Sequence, residues 1–340
     1  MKAIVLKAFG DTENFALEEI PNPDLSVNDI LVRVKATAFN PIDYQMRRGA
    51  NESKLLRSPI LGRELAGDVI AVGALVTKFK TGDRVAAYVG SLASNGTYAE
   101  QISIPQQLVA ILPDTLSYAE AAALPLVGLT ALQCFQRLNI PNDEAVFIAG
   151  GAGGVGTILI KLLLADGHRE IITTAGNTES RQHLVNIGID SSKIVDYLQP
   201  AFINHLQAVT ITGNYKYCID LVGGRMAEIC AHLLAIHGVY ADITNLSTEK
   251  SRELLFNKAA TIVNIANYAH ALTGDVKDAA IYGKNLTELF NKITNRIISP
   301  APVSIIGGLS VQTVVQAHAL LEENNTKGKK LVMVVDEERC

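Results

Sequence analysis

What the chain lacks narrows its class first. Its four cysteines, Cys134, Cys218, Cys230 and Cys340, show no C-x-x-C spacing and no accompanying His-x₃₋₅-His pair. This argues against a zinc ribbon or a disulfide framework. The apolar surroundings of Cys134, Cys218 and Cys230 point instead to buried, reduced thiols. Charge is modest: 19% of residues are charged, the net is −4, and no like-charge run exceeds a few residues. Neither nucleic acid nor an anionic membrane is expected as the main partner. Apolar runs such as "DEAVFIAGGAGGVGTILIKLLLA" are broken by glycine or charge well before the ~20 residues a membrane span needs. The N-terminus "MKAIVLKAFG" has no long apolar core and no small-residue cleavage site. It reads as a first strand rather than a signal peptide, and a cytoplasmic location is expected.

What is there is enough chain for roughly two domains of ~150 residues. At 48% hydrophobic, it buries an ordinary core without disulfides or metal. Up to about residue 115, short strand patterns such as "DILVRVKATAF" (29–39), "ELAGDVIAVG" (64–73), "DRVAAYVG" (83–90) and "GTYAEQISIP" (96–105) alternate with Pro, Asn and Gly-Asp turns. Closely spaced strands without a helical period predict a compact, barrel-like β domain. At "PDTLSYAEAAALPLVGLTALQCFQRL" (113–138) the pattern turns helical. Ser117 and Glu120 have capping-box spacing, and Pro125 is expected to split the helix. From 143 to 266, near-continuous apolar strands alternate with helices, as in a doubly wound parallel sheet. Beyond it come a helix at "GKNLTELFNKITN", another at "SVQTVVQAHALLEENN", and a strand "KKLVMVVD" expected to return to the first domain. Leading into the first of these helices, "NYAHALTGDVKDAAIYGKN" (267–285) is read as a loop.

Gly151, Gly153 and Gly156 satisfy G-x-G-x-x-G in "AGGAGGVG", after an apolar strand and at the start of a helix. In that setting the glycines allow a tight turn and close approach of a pyrophosphate to free helix N–H groups. An NAD-preferring site places Asp or Glu about 20 residues later. This chain has "TTAGNTESR" there, with uncharged Gly176, Asn177 and Thr178, and with Arg181 close by. A neutral, donor-rich pocket near a cation suits the 2′-phosphate of NADPH. Glu179 falls at the helix start, where an acid also complements the dipole.

"GRELAGDVIAVG", "FKTGDRVAAYV", "NGTYAEQ", "AEAAALPLVGLTAL", "AGGAGGVG" and "GKKLVMVV" together resemble the medium-chain dehydrogenase/reductase superfamily over essentially the whole chain. The resemblance implies an α/β fold. A GroES-like β-barrel catalytic domain (1–118) precedes a doubly wound parallel Rossmann sheet (119–266), and a C-terminal segment (267–340) completes the first domain. Zinc-dependent alcohol dehydrogenases of the superfamily ligate their metal through Cys and His. Those positions fall here at Asn40 and Arg63, and a third falls near Leu126. An amide and a guanidinium do not replace thiolate and imidazole around Zn²⁺. Residues 83–115 also contain no Cys for a structural zinc, so no metal is expected.

"NPIDYQMRRG" is similar to the zinc-independent quinone oxidoreductase branch, which includes zeta-crystallin. That likeness implies NADPH contacts at Asn40, Thr130, Gly153, Gly154, Val155, Asn177 and Tyr197. It also implies reduction of quinones or α,β-unsaturated carbonyls, and a homodimer. Hydride transfer to such acceptors needs positioning more than acid catalysis. Candidate donors to the acceptor oxygen are Tyr44, Arg63 and the Asn40 amide; the branch often carries the aromatic one position later, at Gln45 here. Tyr268 and His270 are candidates for the far wall of the pocket. The alternatives are a zinc-type dehydrogenase of alcohols or aldehydes, and a non-catalytic NADPH-binding protein like the crystallins.

Overall fold

The computed structural model describes residues 1–336, and its first third is built of short strands as the turn punctuation predicts. β1 (Lys2–Leu6) and β2 (Phe15–Glu19) form an antiparallel pair. β3 (Asp29–Ala38) leads into a short helix, α1 (Pro41–Arg47), started by a proline whose missing N–H has no role in a first turn. Then come β4 (Glu64–Val72), β5 (Arg84–Tyr88), β6 (Gln101–Pro105) and β7 (Val109–Ile111). α2 (Tyr118–Ala122) is capped by Ser117, which accepts from the Glu120 N–H, and α3 (Pro125–Leu138) starts at the proline that ends it.

Strands and helices then alternate. The series runs β8 (Val146–Ala149), α4 (Gly154–Ala165), β9 (Ile171–Ala175), α5 (Thr178–Asn186), β10 (Ile194–Asp196), α6 (Phe202–Ala208), β11 (Tyr215–Asp220), α7 (Arg225–Leu233), β12 (Leu234–Asp242), α8 (Glu249–Asn257) and β13 (Thr261–Asn264). All pairings are parallel, in the order β10-β9-β8-β11-β12-β13. This is the doubly wound arrangement, with its switch point between β8 and β11.

The remaining chain forms α9 (Ala269–Leu272), α10 (Val276–Thr294), β14 (Val303–Gly307), α11 (Val311–Glu322) and β15 (Lys330–Val334). The stretch 267–285, read from sequence as a loop, is largely helical. Asp275 caps α10 by accepting from the Lys277 N–H, so that helix starts well before "GKNLTELFNKITN". β15 pairs antiparallel with β3, closing a seven-stranded mixed sheet in the order β14-β15-β3-β4-β5-β7, with β6 also on β3.

The chain divides into two compact units, Met1–Leu129 with the segment from Tyr268 onward, and Thr130–Asn267. The boundary falls inside α3 rather than at residue 118, because α2 packs on β3, β4 and β15 of the first unit. Phe15, Phe39, Met46, Tyr98, Val314 and Met333 share the first unit's core. In the second, Phe147, Ile172, Tyr215, Cys218, Leu234 and Tyr240 pack together. Cys134, Cys218 and Cys230 are buried and unbridged, and burial pushes the Cys134 thiol up to about 12. Cys340 lies outside the described residues. Among the described residues, no helix is long and apolar enough to cross a membrane.

Phe147 is fully buried, stacked at a tilt on Tyr215 with ring centres 5.5 Å apart. Phe147→Ala is expected to remove about 3–5 kcal/mol of stability, measured as a lowered urea midpoint with an unchanged slope.

Candidate active site

In the second unit, β8 runs out at Ala149 and the chain turns through Gly150, at φ +83°, into α4 with Gly153 as its N-cap. A Cβ at Gly156 would lie 2.5 Å from the Gly151 Cα, and one at Gly151 would strike the Thr173 side chain. Only glycine lets the helix seat this closely on the turn. Gly153 is exposed, and Gly154 and Val155 are partly so. The N–H groups of Gly154 and Val155 belong to the first helical turn, where no intrahelical acceptor exists, so they suit an anion. The loop therefore fits a dinucleotide pyrophosphate.

Across the switch point, Asp220 ends β11 and accepts from the N–H groups of Val222 (2.9 Å) and Gly223 (2.8 Å) and from the Tyr240 hydroxyl (2.8 Å). It pins a loop in which Gly223 and Gly224 hold positive φ. Sequence reasoning passed over Asp220; the signal was an acid at a strand end before paired glycines.

At the end of β9, Gly176 lies so close to the Tyr197 ring that any side chain there would collide with it. Asn177 is exposed and caps α5, its Oδ1 accepting from the Ser180 N–H at 2.8 Å. Thr130 is buried in α3. Arg181 is placed differently from the expectation of a phosphate-binding cation. Its guanidinium donates to the carbonyls of Ile194 (2.6 Å) and Ser191 (2.7 Å), bracing the turn into β10.

In the first unit, Asn40 precedes α1 and Glu64 opens β4; both are buried. The Asn40 amide donates to Glu64 Oε1 at 2.6 Å. Lys330, at the start of β15, donates to Glu64 Oε1 at 3.0 Å, to the Phe39 carbonyl at 3.2 Å and to Asn40 Oδ1. The Leu126 N–H donates to Glu64 Oε2 at 2.7 Å. Asn40, expected as a cofactor contact, thus has its amide buried within an ionic network. Lys330 was not foreseen as part of it, since a lysine opening an apolar strand usually reads as solvated.

Arg63 turns away from Glu64. Its Nη2 donates to the Tyr88 hydroxyl at 3.1 Å and its Nη1 faces the Met46 sulfur at 3.2 Å. Tyr88 stacks edge-on against Tyr282, which also meets the His270 ring at 5.8 Å. Tyr44 is half-buried, with the Arg48 guanidinium 5.8 Å from its ring centre, and it lies outside the Asn40–Glu64–Lys330 network. The residues at the expected metal-ligand positions do not fit a zinc ion: one amide already bonded at both ends, one guanidinium, and one backbone N–H. No group of three or more His, Cys, Asp or Glu suited to a metal occurs among the described residues.

Asp43 is fully buried, and only its Oδ2 is bonded, by the Asn40 N–H at 2.8 Å. Burial raises its carboxyl to about 7, against the smaller lowering by the Asn40 bond and Arg63. An acid whose pKa rises on folding takes up a proton as it folds. Stability therefore falls as pH rises from about 4 toward 7, then levels. Asp43→Asn keeps the acceptor for Asn40 and removes the slope. Its urea midpoint relative to the parent should rise between pH 5 and pH 8. Lys330→Met leaves the Glu64 carboxylate without its ammonium, and a loss of about 3–5 kcal/mol is expected by chemical denaturation.

Known proteins share this architecture. The alcohol dehydrogenase GroES-like domain model matches residues 26–114, and the zinc-binding dehydrogenase model matches residues 189–332. A zinc-type alcohol dehydrogenase-like protein from Staphylococcus epidermidis is 30% identical, covering 96% of this chain and 99% of its own. A 2-methylene-furan-3-one reductase from Solanum lycopersicum is 32% identical over 59% of this chain and 53% of its own. The structure of Escherichia coli quinone oxidoreductase complexed with NADPH aligns with a TM-score of 0.84 at 25% identity, covering 98% of this chain and 100% of that one. The chain belongs to the medium-chain dehydrogenase/reductase superfamily and is an NAD(P)-dependent oxidoreductase of that superfamily.

Proposed function

We propose that the protein is a zinc-independent, NADPH-dependent reductase of quinones or α,β-unsaturated carbonyl compounds. The observation that carries this reading is the chemistry at the metal-ligand positions. The Asn40 amide is held between Glu64 and Lys330, and Arg63 brings a positive charge where a zinc site needs a donor. The quinone oxidoreductase and furanone reductase relatives point to the same acceptor class.

Preference for NADPH rests on the end of β9. No acid stands there before Glu179, and Asn177 and Tyr197 are exposed polar groups beside Gly176. When bound, the reduced nicotinamide supplies the hydride. The protein's own part is to hold the acceptor and to meet the negative charge that arrives on its oxygen. Arg63 suits that role, because it is fixed by Tyr88 and Met46 and those bonds engage only two of its five N–H donors. Tyr44 is the second candidate donor, held beside Arg48.

The name of the Staphylococcus relative favours a zinc-type alcohol dehydrogenase instead. Cofactor oxidation at 340 nm with a quinone, an enone and a simple aldehyde, with and without chelator, separates the two. Chelator-insensitive reduction of the quinone or enone, faster with NADPH than with NADH, is the expected result. Aldehyde reduction abolished by chelator, with stoichiometric zinc in the purified protein, would sink the proposal.

A further inference from the structure

Buried arginines are normally paired with an acid, and Arg63 is not. It is 4% exposed, and among the described residues no carboxylate lies within ion-pair distance of it; the neighbouring Glu64 is turned to Lys330. Asp43 is close enough to influence Arg63 electrostatically but is not hydrogen-bonded to it. The guanidinium is held instead by two neutral groups. Met46 offers a thioether, which is a weak acceptor. Among the described residues, the Tyr88 hydroxyl, 3.1 Å from Nη2, is therefore the one oxygen that fixes the direction of the guanidinium. The Tyr88 ring centre also lies 5.6 Å from the guanidinium carbon.

Packing sets the place of Tyr88 itself. It ends β5, is buried, and stands edge-on to the Tyr282 ring of α10 with ring centres 5.0 Å apart. A carboxylate in its place would orient the guanidinium and cancel its charge. A phenol orients it and leaves the charge intact. Two residues on, Gly90 holds φ +53°, and a Cβ there would stand 3.6 Å from the Tyr88 ring and 4.0 Å from Arg63 Nη2. As glycine, it puts no side chain of its own on that flank of Nη2.

We propose that Tyr88 is a positioning residue for acceptor reduction. Its hydroxyl holds the Arg63 guanidinium in one orientation, so that the remaining N–H donors are already fixed when negative charge arrives on the acceptor oxygen. A donor fixed beforehand needs no reorientation at the moment of reaction, and a misplaced one loses much of its effect. The proposal rests on the reductase reading above and on the role given there to Arg63; that Tyr88 anchors Arg63 stands on the geometry alone.

Tyr88→Phe is the test, because it keeps the ring against Tyr282 and Arg63 and removes only the hydroxyl. With a quinone as acceptor, kcat should fall about tenfold while KM for NADPH changes less than about twofold. In an Arg63→Gln background the same change should cost less than about twofold, because the two residues act as one unit. A tenfold loss in both backgrounds, or a raised KM with kcat kept, makes Tyr88 a packing residue and overturns the proposal. Nitrogen NMR of isotope-labelled protein gives a second readout that needs neither turnover nor the double variant. The Arg63 Nη1 and Nη2 signals, identified by their loss in Arg63→Lys, should be separate in the parent and merge in Tyr88→Phe as the freed guanidinium rotates. Signals alike in the two proteins overturn the anchoring and the proposal with it. Signals that merge in Tyr88→Phe, in a parent that reduces neither quinone nor enone, keep Tyr88 as the anchor of Arg63 and discard the reductase reading.

Discussion

The first unit is organised around one buried carboxylate. Glu64 has no solvent exposure, and its partners come from three other segments: Asn40 before α1, Leu126 at the start of α3, and Lys330 at the start of β15. An ionised carboxylate in such a place is tolerated only when its lone pairs are filled and its charge is balanced. These interactions meet that condition by fixing where the helices and the returning strand sit. The same network leaves Arg63 out, and so a second cation stands beside it with only neutral partners.

The second unit uses backbone rather than side chains. Close packing of Gly156 on Gly151, and of Gly151 on Thr173, draws α4 onto the turn after β8. That contact is a folding requirement, and it also aims the first helix N–H groups outward, where a phosphate can meet them. Asp220 does the corresponding work on the other side of the switch point, tying the Gly223–Gly224 turn to its own carboxylate. The binding surface here follows from how the sheet and its helices close.

A shared fold does not by itself fix the chemistry of its site. Matches to models named for alcohol dehydrogenase and for zinc-binding dehydrogenase describe the scaffold. At the ligand positions the side chains answer a different requirement. An ammonium, Lys330, stands between Asn40 and Glu64, and it balances the acid from within the chain.

Much of this was legible in the amino-acid sequence because it depends on near neighbours. The capping box at Ser117 and Glu120, the helix break at Pro125, the glycine turn at 150–156 and the alternation of strands with helices are all settled within a few residues. The loss of Cys and His from the ligand positions was equally plain at Asn40 and Arg63. Tertiary structure decided what lies far apart along the chain. The union of Lys330 with Glu64 spans 266 positions. The Arg181 guanidinium went to carbonyls at 191 and 194 instead of standing free. Local pattern gives the conformation a segment prefers. Which charged groups are withdrawn from water together, and so must pair, is known only when the segments have been brought into contact.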